Sequence, residues 1–430
     1  MLAADPMLGS GPPAAHLSSM QDPTREAAFD LLAAVLDGHR PLEEALDRLP
    51  ALMVRDKAAA RRLAASVLRR LGSLDAVLAP LLRKEPPGAV RHVLRLGAAG
   101  LLLLDTPAHA AVGTAVGLSR SRGLAPFAAL VNAVLRRVAE TGPTALAAMD
   151  GVRVDTPDWL WASWGARARV IGRAHQAPVP IDLTLKPGAA PPPGGERLPT
   201  GSIRFPSGTR VIDLPAYSEG TFWVQDAAAA LPARLLAARP GEHVADLCAA
   251  PGGKTAQIAA TGARVIAVER DAGRIIRLRE NLARLRLTAE VVHEDAAAWE
   301  AASLDAILLD APCTATGTIR RHPDVARLKR PRDVATASAA QDRLLTHSGR
   351  LLRSGGRLVY SVCSLQPEEG APRIERLLAS GGWRPSPFTA QELADLPEAR
   401  TADGYLRTDP GMWADRGGMD GFFAARLQKI

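Results

Sequence analysis

The chain has 430 residues, of which 47% are hydrophobic and 23% charged, a balance typical of soluble globular proteins with two or three domains. Its net charge of +8 permits binding to a polyanion but does not by itself indicate one. Three cysteines, Cys248, Cys313 and Cys363, are too few for a disulfide framework and fit a reducing compartment, and the longest uncharged apolar run, residues 96–104, is too short to cross a bilayer.

Residues 1–21 hold Asp5 and several prolines but no basic segment, so we expect a disordered tail and no signal peptide. From residue 22 to residue 141, apolar residues recur at three- and four-residue spacing with arginines between them, as in "REAAFDLLAAVLDG" and "PFAALVNAVLRRVAE". Glycines and prolines fall at the breaks between these stretches. The pattern predicts an all-α domain over residues 22–145.

Residues 146–215 differ in composition, because prolines gather there, most densely in "KPGAAPPPGGERLP". Strand candidates such as "IDLTL" and "SIRFP" flank that stretch, and we expect a small mixed connecting region. From residue 216 to residue 430, helical stretches alternate with the apolar strands "HVADL", "RVIAV", "AEVVH", "DAILLD" and "GRLVYSV". This alternation predicts an α/β domain with a mostly parallel, doubly wound sheet, to which "GFFAARL" adds an antiparallel strand.

The stretch "DLCAAPGGKT" (246–255) follows the first of these strands and ends like a phosphate-binding loop. A P-loop needs a glycine five residues before Gly253, where this chain has Cys248, and Pro251 has no N–H to offer a phosphate. The second strand ends in Glu269, an acid in the position that holds ribose hydroxyls. We therefore expect an adenosine cofactor without a pyrophosphate grip, which favours S-adenosylmethionine over ATP or NAD.

Polar residues also end the later strands, at Asp295, at "DAPC" (310–313) and at "SVCS" (361–364). Because the fourth and fifth strands are neighbours in a doubly wound sheet, Cys313 and Cys363 are expected to face one site. A thiol and a methyl donor together indicate methylation at a pyrimidine carbon. In that chemistry a thiolate adds to C6, C5 becomes nucleophilic, and a base later removes the C5 proton.

Asp310, the first residue of "DAPC", could hydrogen-bond the edge of a cytosine and stabilise such an adduct. Structural interpretations stand beside these functional ones: Cys248 fits a small buried residue that lines the loop, Asp310 a turn or cap, and Glu269 a solvated charge at a strand end. Cys313 and Cys363 each lie in a polar group at a strand end, which favours function for both. We predict no metal site, because the chain has no Cys-x-x-Cys pair and no histidine-rich cluster.

Four segments, "DLCAAPGGKT", "DAPCTATGTIRRHPDV", "YSVCSLQPEE" and "GGMDGFFAARL", together resemble the RNA cytosine-5 methyltransferases. The helical segments "LDTPAHAAVGTAVGLSR" and "LVNAVLRRV" resemble the NusB antitermination-factor fold. The resemblance covers residues 22–141 and 216–430, and it implies a NusB-like RNA-binding domain followed by a Rossmann-like catalytic domain. The implied activity is methylation of cytosine C5 in 16S ribosomal RNA, in the cytoplasm.

The resemblance also implies roles for individual residues. Cys363 would be the nucleophile, and Cys313 would assist release of the methylated RNA. Val362 precedes the nucleophile where threonine is common, so a hydroxyl near the thiol is missing, and Glu269 stands where aspartate is usual but can still reach ribose hydroxyls. The implied contacts of S-adenosylmethionine are Cys248, Ala249, Ala250, Pro251, Gly252, Gly253, Lys254, Glu269, Asp295 and Asp310.

The segment "IRRHPDVARLKRPR" (319–332) is the most basic part of the predicted catalytic domain, with six arginines or lysines against one acid. We expect contacts to RNA phosphates here, at Arg320, Arg321 and His322, with a solvated helix face as the structural alternative. The basic stretch 270–287 has the periodicity of a packed helix instead. Because aromatic residues make up only 4% of the chain, few base-stacking contacts are expected.

The sequence therefore predicts an S-adenosylmethionine-dependent methyltransferase that modifies cytosine C5 in small-subunit ribosomal RNA and acts as a monomer, without a membrane or a metal. Two alternatives stay open. One is the same chemistry on transfer RNA. The other is a non-catalytic RNA-binding or antitermination module that retains the cofactor fold, and binding of the cofactor without RNA would distinguish it from the enzyme.

Overall fold

The computed structural model describes residues 22–430, and the expected disordered tail, residues 1–21, lies outside that range. The chain divides into two compact units. One unit comprises the residues up to Ala34, Ala45–Val67 and Leu74–Ala148, and the other comprises Val35–Glu44, Leu68–Ser73 and Met149–Ile430. No helix within residues 22–430 combines the length and the apolar character needed to span a membrane.

Helices and turns account for residues 22–148, as the spacing of apolar residues predicts. Leu94 and Val131 are fully buried where long helices of this part pack on each other, while Arg95 binds Asp75 at the surface. The last helix continues past residue 145 to Ala148, although Pro143 lies inside it and donates no N–H. The helices are α1 (Pro23–Leu36), α2 (Leu42–Asp47), α3 (Val54–Arg69), α4 (Leu71–Leu78), α5 (Gly88–Leu103), α6 (Ala108–Ser121) and α7 (Ala128–Ala148).

The expected mixed connecting region consists of three short helices and a small antiparallel sheet. The helices are α8 (Gly151–Asp155), α9 (Asp158–Trp164) and α10 (Ala168–Gln176). The strands are β1 (Ile181–Leu185), β2 (Glu196–Arg197), β3 (Ile203–Phe205) and β4 (Phe222–Val224), in the order β2-β3-β1-β4. Leu183, Phe205 and Phe222 form the core beside this sheet, so the region extends beyond residue 215.

A second sheet, of eight strands, carries the strand ends that the sequence singles out. Its strands are β5 (His243–Leu247), β6 (Arg264–Glu269), β7 (Glu290–His293), β8 (Leu304–Asp310), β9 (Leu352–Val362), β10 (Trp383–Pro385), β11 (Leu406–Arg407) and β12 (Phe423–Lys429). The order is β10-β12-β9-β8-β5-β6-β7, with β11 paired to β12. Strands β5 to β9 pair in parallel and β12 is antiparallel to β9, which confirms the predicted doubly wound sheet and its added strand.

Both faces of this sheet are covered. Along β8, Ile307 and Leu309 belong to one apolar core, while Ala306 and Leu308 belong to another. Because alternate residues of a strand point to opposite faces, a strand covered on both sides reads as a continuous apolar run. The helices of this part are α11 (Leu231–Leu236), α12 (Gly253–Ala259), α13 (Ala272–Leu285), α14 (Val325–Leu328), α15 (Pro331–Leu351) and α16 (Ala371–Ala379).

Candidate active site

The loop between β5 and α12 turns around two residues in the left-handed region, Cys248 with φ 64° and Gly252 with φ 100°. At Gly252 a Cβ atom would lie 2.4 Å from Cδ1 of Leu278, so the position requires glycine. Asp246 of β5 is fully buried, and Thr255 of α12 donates from Oγ1 to its Oδ2 at 2.5 Å. This hydrogen bond connects α12 to β5 and fixes the shape of the loop between them.

Glu269 ends β6 beside this loop and is only 3% exposed. Its Oε2 accepts from the N–H of Ala250 at 3.3 Å, and its Oε1 accepts from the N–H of Asp271 at 3.0 Å. Arg274 Nη1 lies 3.4 Å from the same carboxylate. The interpretation of Glu269 as a solvated strand-end charge is therefore wrong, because the carboxylate is bonded to the loop that it follows in the sheet.

The edge formed by these strand ends fits the chemistry of S-adenosylmethionine, a cation that carries ribose hydroxyls. Asp246 Oδ1 is a buried acceptor without a hydrogen-bond partner among the described residues. Asp295 follows β7 and is exposed, with one oxygen accepting from the N–H of Ala297 at 2.9 Å. Together with Glu269 and Asp310, these carboxylates supply acceptors for hydroxyl and amino groups at successive strand ends.

Cys313 and Cys363 lie side by side, with their Sγ atoms 3.4 Å apart. They follow β8 and β9, which are paired in parallel so that Asp310 is level with Ser361. The predicted meeting of the two thiols at one site is confirmed. Both cysteines are free and partly exposed, so a reactive group can reach them.

Lys254 and Asp310 form an ion pair at this edge, with 2.7 Å between Lys254 Nζ and Asp310 Oδ2. The other oxygen of Asp310 accepts from Ser361 Oγ at 2.9 Å. The two interactions join the loop after β5 to the ends of β8 and β9. Asp310 therefore connects these elements rather than capping a turn, and its role in the site stays a prediction.

The two thiols differ in their surroundings. The hydrogen bond with Cys363 raises the pKa of Cys313 well above its usual value, burial adds to this, and so does the negative charge of Glu369. Burial would lower the pKa of Lys254 and of Arg321, but the neighbouring carboxylates, Asp310 for Lys254 and Asp420 for Arg321, raise both. Cys313 therefore keeps its proton, and both cations lie within electrostatic reach of Cys363.

Cys248 behaves differently from the other two cysteines. Burial raises the pKa of its thiol to about 12, and the neighbouring carboxylates of Glu269, Asp310 and Asp246 act in the same direction. The thiol stays protonated and lines the loop as a small side chain, in agreement with its structural interpretation.

The prediction that Arg320 contacts RNA is wrong. Its side chain is 1% exposed and is bonded to two buried carboxylates, those of Asp226 and Asp420, the latter with 3.0 Å between Nε and Oδ1. A guanidinium enclosed in this way cannot reach a phosphate. Arg321 also binds Asp420 but is 34% exposed, and His322 is partly exposed, so RNA contacts of these two residues stay a prediction.

Three acids that matter here were not among the predicted site residues. Asp226 and Asp420 hold Arg320 and Arg321, and Glu369 is fully buried behind the thiols. "GGMDGFF" and "PEE" contain Asp420 and Glu369, but a single acid in a segment does not reveal which distant arginine or loop it binds.

Comparisons with known proteins agree with the geometry. Residues 233–428 match the family described as 16S rRNA methyltransferase RsmB/F, and residues 22–140 match the NusB family. A ribosomal RNA small subunit methyltransferase B from Pseudomonas syringae pv. tomato is 35% identical, covering 94% of this chain and 97% of that protein. The crystal structure of PH0851 has a TM-score of 0.74 at 22% identity and covers 94% of this chain and 99% of that one. A methyltransferase homologue from Pyrococcus horikoshii has a TM-score of 0.51 at 26% identity and covers 66% of this chain and 96% of its own.

Proposed function

Because the chain belongs to the RsmB/F family of 16S rRNA methyltransferases and uses S-adenosylmethionine, we propose that it methylates C5 of a cytosine in that RNA through a covalent bond from Cys363 to C6. The observation that carries the proposal is the pair of thiols 3.4 Å apart beside the loop after β5. Methylation at an oxygen or an exocyclic nitrogen would need no thiol, whereas activation of C5 needs a nucleophile, such as a thiol, to add to C6.

Cytosine C5 is a poor nucleophile until a group adds to C6. When the Cys363 thiolate bonds to C6, the electron pair of the C5–C6 double bond moves to C5, which then acts as an enamine carbon. When bound, S-adenosylmethionine would supply the methyl group that C5 takes, and its sulfur would keep the electron pair of the broken carbon–sulfur bond. Lys254 and Arg321 lie within electrostatic reach of Cys363 and can balance the negative charge of its sulfur as it attacks and leaves. The target base must leave its stack to reach this sulfur.

After methylation, C5 carries both the methyl group and a proton. A base removes that proton, its electron pair re-forms the C5–C6 double bond, and the bond between C6 and the sulfur breaks to return the Cys363 thiolate. Cys313 assists this step, because a protonated thiol 3.4 Å from the departing sulfur can hydrogen-bond to the thiolate as it forms.

Asp310 holds the target cytosine during the reaction. Its carboxylate accepts from Lys254 and from Ser361, which leaves further lone pairs for the exocyclic amino group of cytosine. A hydrogen bond from that amino group helps to spread the charge that develops on the ring. The same carboxylate thus contacts the target cytosine, the cofactor loop through Lys254, and the strand that carries the nucleophile through Ser361.

The cofactor is assigned to the loop after β5, from Cys248 to Lys254, with Glu269 and Asp295 as acceptors for its hydroxyl and amino groups. The small side chains of Ala249, Ala250 and Pro251 and the two glycines leave the loop backbone open to close approach. The helical domain, residues 22–145, is assigned to docking on RNA, an assignment that rests on its match to the NusB family.

Trapping the covalent intermediate tests this proposal. Cys313→Ala protein is incubated with S-adenosylmethionine and 16S ribosomal RNA, and the mixture is run on a denaturing gel. We expect a slowly migrating species that contains both protein and RNA, because Cys363 attacks but release is impaired. The matched variants are Cys363→Ala, which should form no adduct, and the parent, which should turn over without accumulating one.

The other outcomes have distinct meanings. An adduct with Cys363→Ala and none with Cys313→Ala would show that the two thiols have the opposite roles. An adduct with transfer RNA but none with 16S ribosomal RNA would contradict the proposed substrate. If no variant traps RNA and the parent transfers no methyl group to C5, the proposed chemistry is refuted.

A further inference from the structure

Glu369 lies fully buried in the turn Pro367–Glu369 that follows β9. One carboxylate oxygen, Oε1, accepts from the backbone N–H of Thr314 at 2.9 Å and from Nε2 of Gln341 at 3.0 Å. The other oxygen, Oε2, accepts from the hydroxyls of Thr314 and Ser364. Four neutral donors thus satisfy a carboxylate that has been removed from water.

Two of the three residues that bond the carboxylate of Glu369 lie next to the thiols. Thr314 follows Cys313, and Ser364 follows Cys363, so one carboxylate is bonded to both cysteine-bearing loops. The two hydroxyls also lie 3.0 Å from each other, which closes the network between the loops. A change in the position of this carboxylate would therefore move both sulfur atoms.

The charge of Glu369 acts on Cys313. It raises the pKa of Cys313 in addition to the hydrogen bond and the burial of that thiol. Two further titratable groups face Cys313: Cys363, and Tyr360, whose hydroxyl donates to the backbone oxygen of Glu369 at 2.7 Å. Lys254 and Arg321 lie within electrostatic reach of Cys363. The charge of Glu369 thus distinguishes Cys313 from its neighbour.

We propose that Glu369 is a positioning residue, which fixes the separation of Cys313 and Cys363 and assigns the nucleophilic role to Cys363. The inference rests on the proposed function, since it explains why only one of two adjacent thiols attacks. Glu369 itself does not touch the substrate. It acts through Thr314 and Ser364, and through its charge.

Glu369→Gln removes the negative charge and keeps the size and shape of the side chain. The amide oxygen of glutamine can accept from Thr314 N–H and Gln341 Nε2, which both bond to Oε1 in the native protein. The hydroxyls of Thr314 and Ser364, which now donate to Oε2, can accept from the amide nitrogen instead. Glu368→Gln is the matched control, because Glu368 is the next residue of the same turn and its side chain is exposed.

The first readout is the reactivity of each thiol with iodoacetamide as a function of pH, measured peptide by peptide by mass spectrometry without RNA or cofactor. In the parent and in Glu368→Gln, we expect Cys313 to react only at high pH, while Cys363 reacts first. In Glu369→Gln, the reactivity profile of Cys313 should move to lower pH. The difference in reactivity between Cys363 and Cys313 should therefore become smaller. An unchanged Cys313 profile would mean that Glu369 only packs, and would overturn the proposal.

The second readout is methyl transfer. Glu369→Ala removes the network altogether, and a displacement of the reacting groups should lower kcat by about 100-fold with little change in KM for RNA. If Glu369→Gln and Glu369→Ala both keep the parent kcat, the proposal is also overturned. If the parent and Glu368→Gln transfer no methyl group to C5, the proposed function fails, whereas the alkylation profiles still decide whether Glu369 sets the difference between the thiols.

Discussion

Replacing Arg320 by alanine tests whether its charge belongs to the protein interior or to an RNA-binding surface. The side chains of Arg320, Asp226 and Asp420 are 1%, 1% and 0% exposed, so the guanidinium balances two carboxylates that water does not reach. Without it, Asp420 keeps its bond to Arg321, whereas Asp226 loses the cation to which it is bonded. The variant therefore breaks two buried ion pairs and leaves one carboxylate, that of Asp226, without a bonded cation.

Breaking a buried pair by removing one partner destabilises a protein by about 3–5 kcal/mol, because the remaining charge is uncompensated. With one carboxylate left uncompensated, we expect Arg320→Ala to lower the free energy of unfolding by about 4 kcal/mol. For a domain of this size each kcal/mol lowers Tm by about 2–4 °C, so the variant should melt roughly 10 °C below the parent.

The assay combines thermal melting with the salt dependence of RNA binding. Arg332→Ala is the control, because Arg332 is exposed in the same basic stretch and should change the free energy of unfolding by less than about 0.5 kcal/mol. Loss of a phosphate contact lowers the slope of log K against log salt by about 1. We expect Arg320→Ala, measured well below its Tm, to keep the parent slope. An Arg320→Ala protein that has the Tm of the parent but a slope of log K against log salt lower by about 1 would refute the reasoning.

Two further predictions concern the loop after β5. Burial raises the pKa of Asp246 to about 7, so the folded state is penalised increasingly as pH rises from about 4, where the unfolded carboxyl ionises, to about 7. Asp246→Asn should therefore raise Tm at pH 8 and leave it unchanged at pH 4. Equal Tm values for the variant and the parent at pH 8 would contradict the raised pKa of the buried carboxyl. Gly252→Ala places a Cβ 2.4 Å from Leu278 Cδ1 at a φ of 100° and should destabilise the protein by about 1–3 kcal/mol, measured by chemical denaturation. A stable Gly252→Ala protein would mean that the loop can adopt another backbone conformation.

The sheet was predictable where its strands have a pattern of their own. β5, β8 and β9 are apolar runs that alternate between two cores, so periodicity and order along the chain predict their parallel pairing. β10 and β11 span only three and two residues, Trp383–Pro385 and Leu406–Arg407. Such segments have no alternation to detect, and they are strands only because β12 offers them hydrogen-bonding partners.

The site was predictable where strand ends meet, and less so where distant charges meet. The contact between Cys313 and Cys363 follows from the adjacency of two parallel strands. Arg320 stands in a basic segment, and its carboxylate partners are 94 and 100 residues away in sequence, so the segment alone indicates an exposed cation. Glu368 and Glu369 are identical neighbours in sequence, and only the fold buries one and exposes the other.

The position of β12 within the sheet bears on how the protein is made. β12 is translated after the seven other strands, yet it lies inside the sheet, between β9 and β10. Until β12 leaves the ribosome, β9 presents an unpaired edge, which invites pairing with other chains. Asp420, which binds Arg320 and Arg321, emerges just before β12. A nascent chain that stops short of this segment therefore lacks both the strand that covers the edge of β9 and a carboxylate that binds Arg320 and Arg321, so its catalytic sheet cannot be completed.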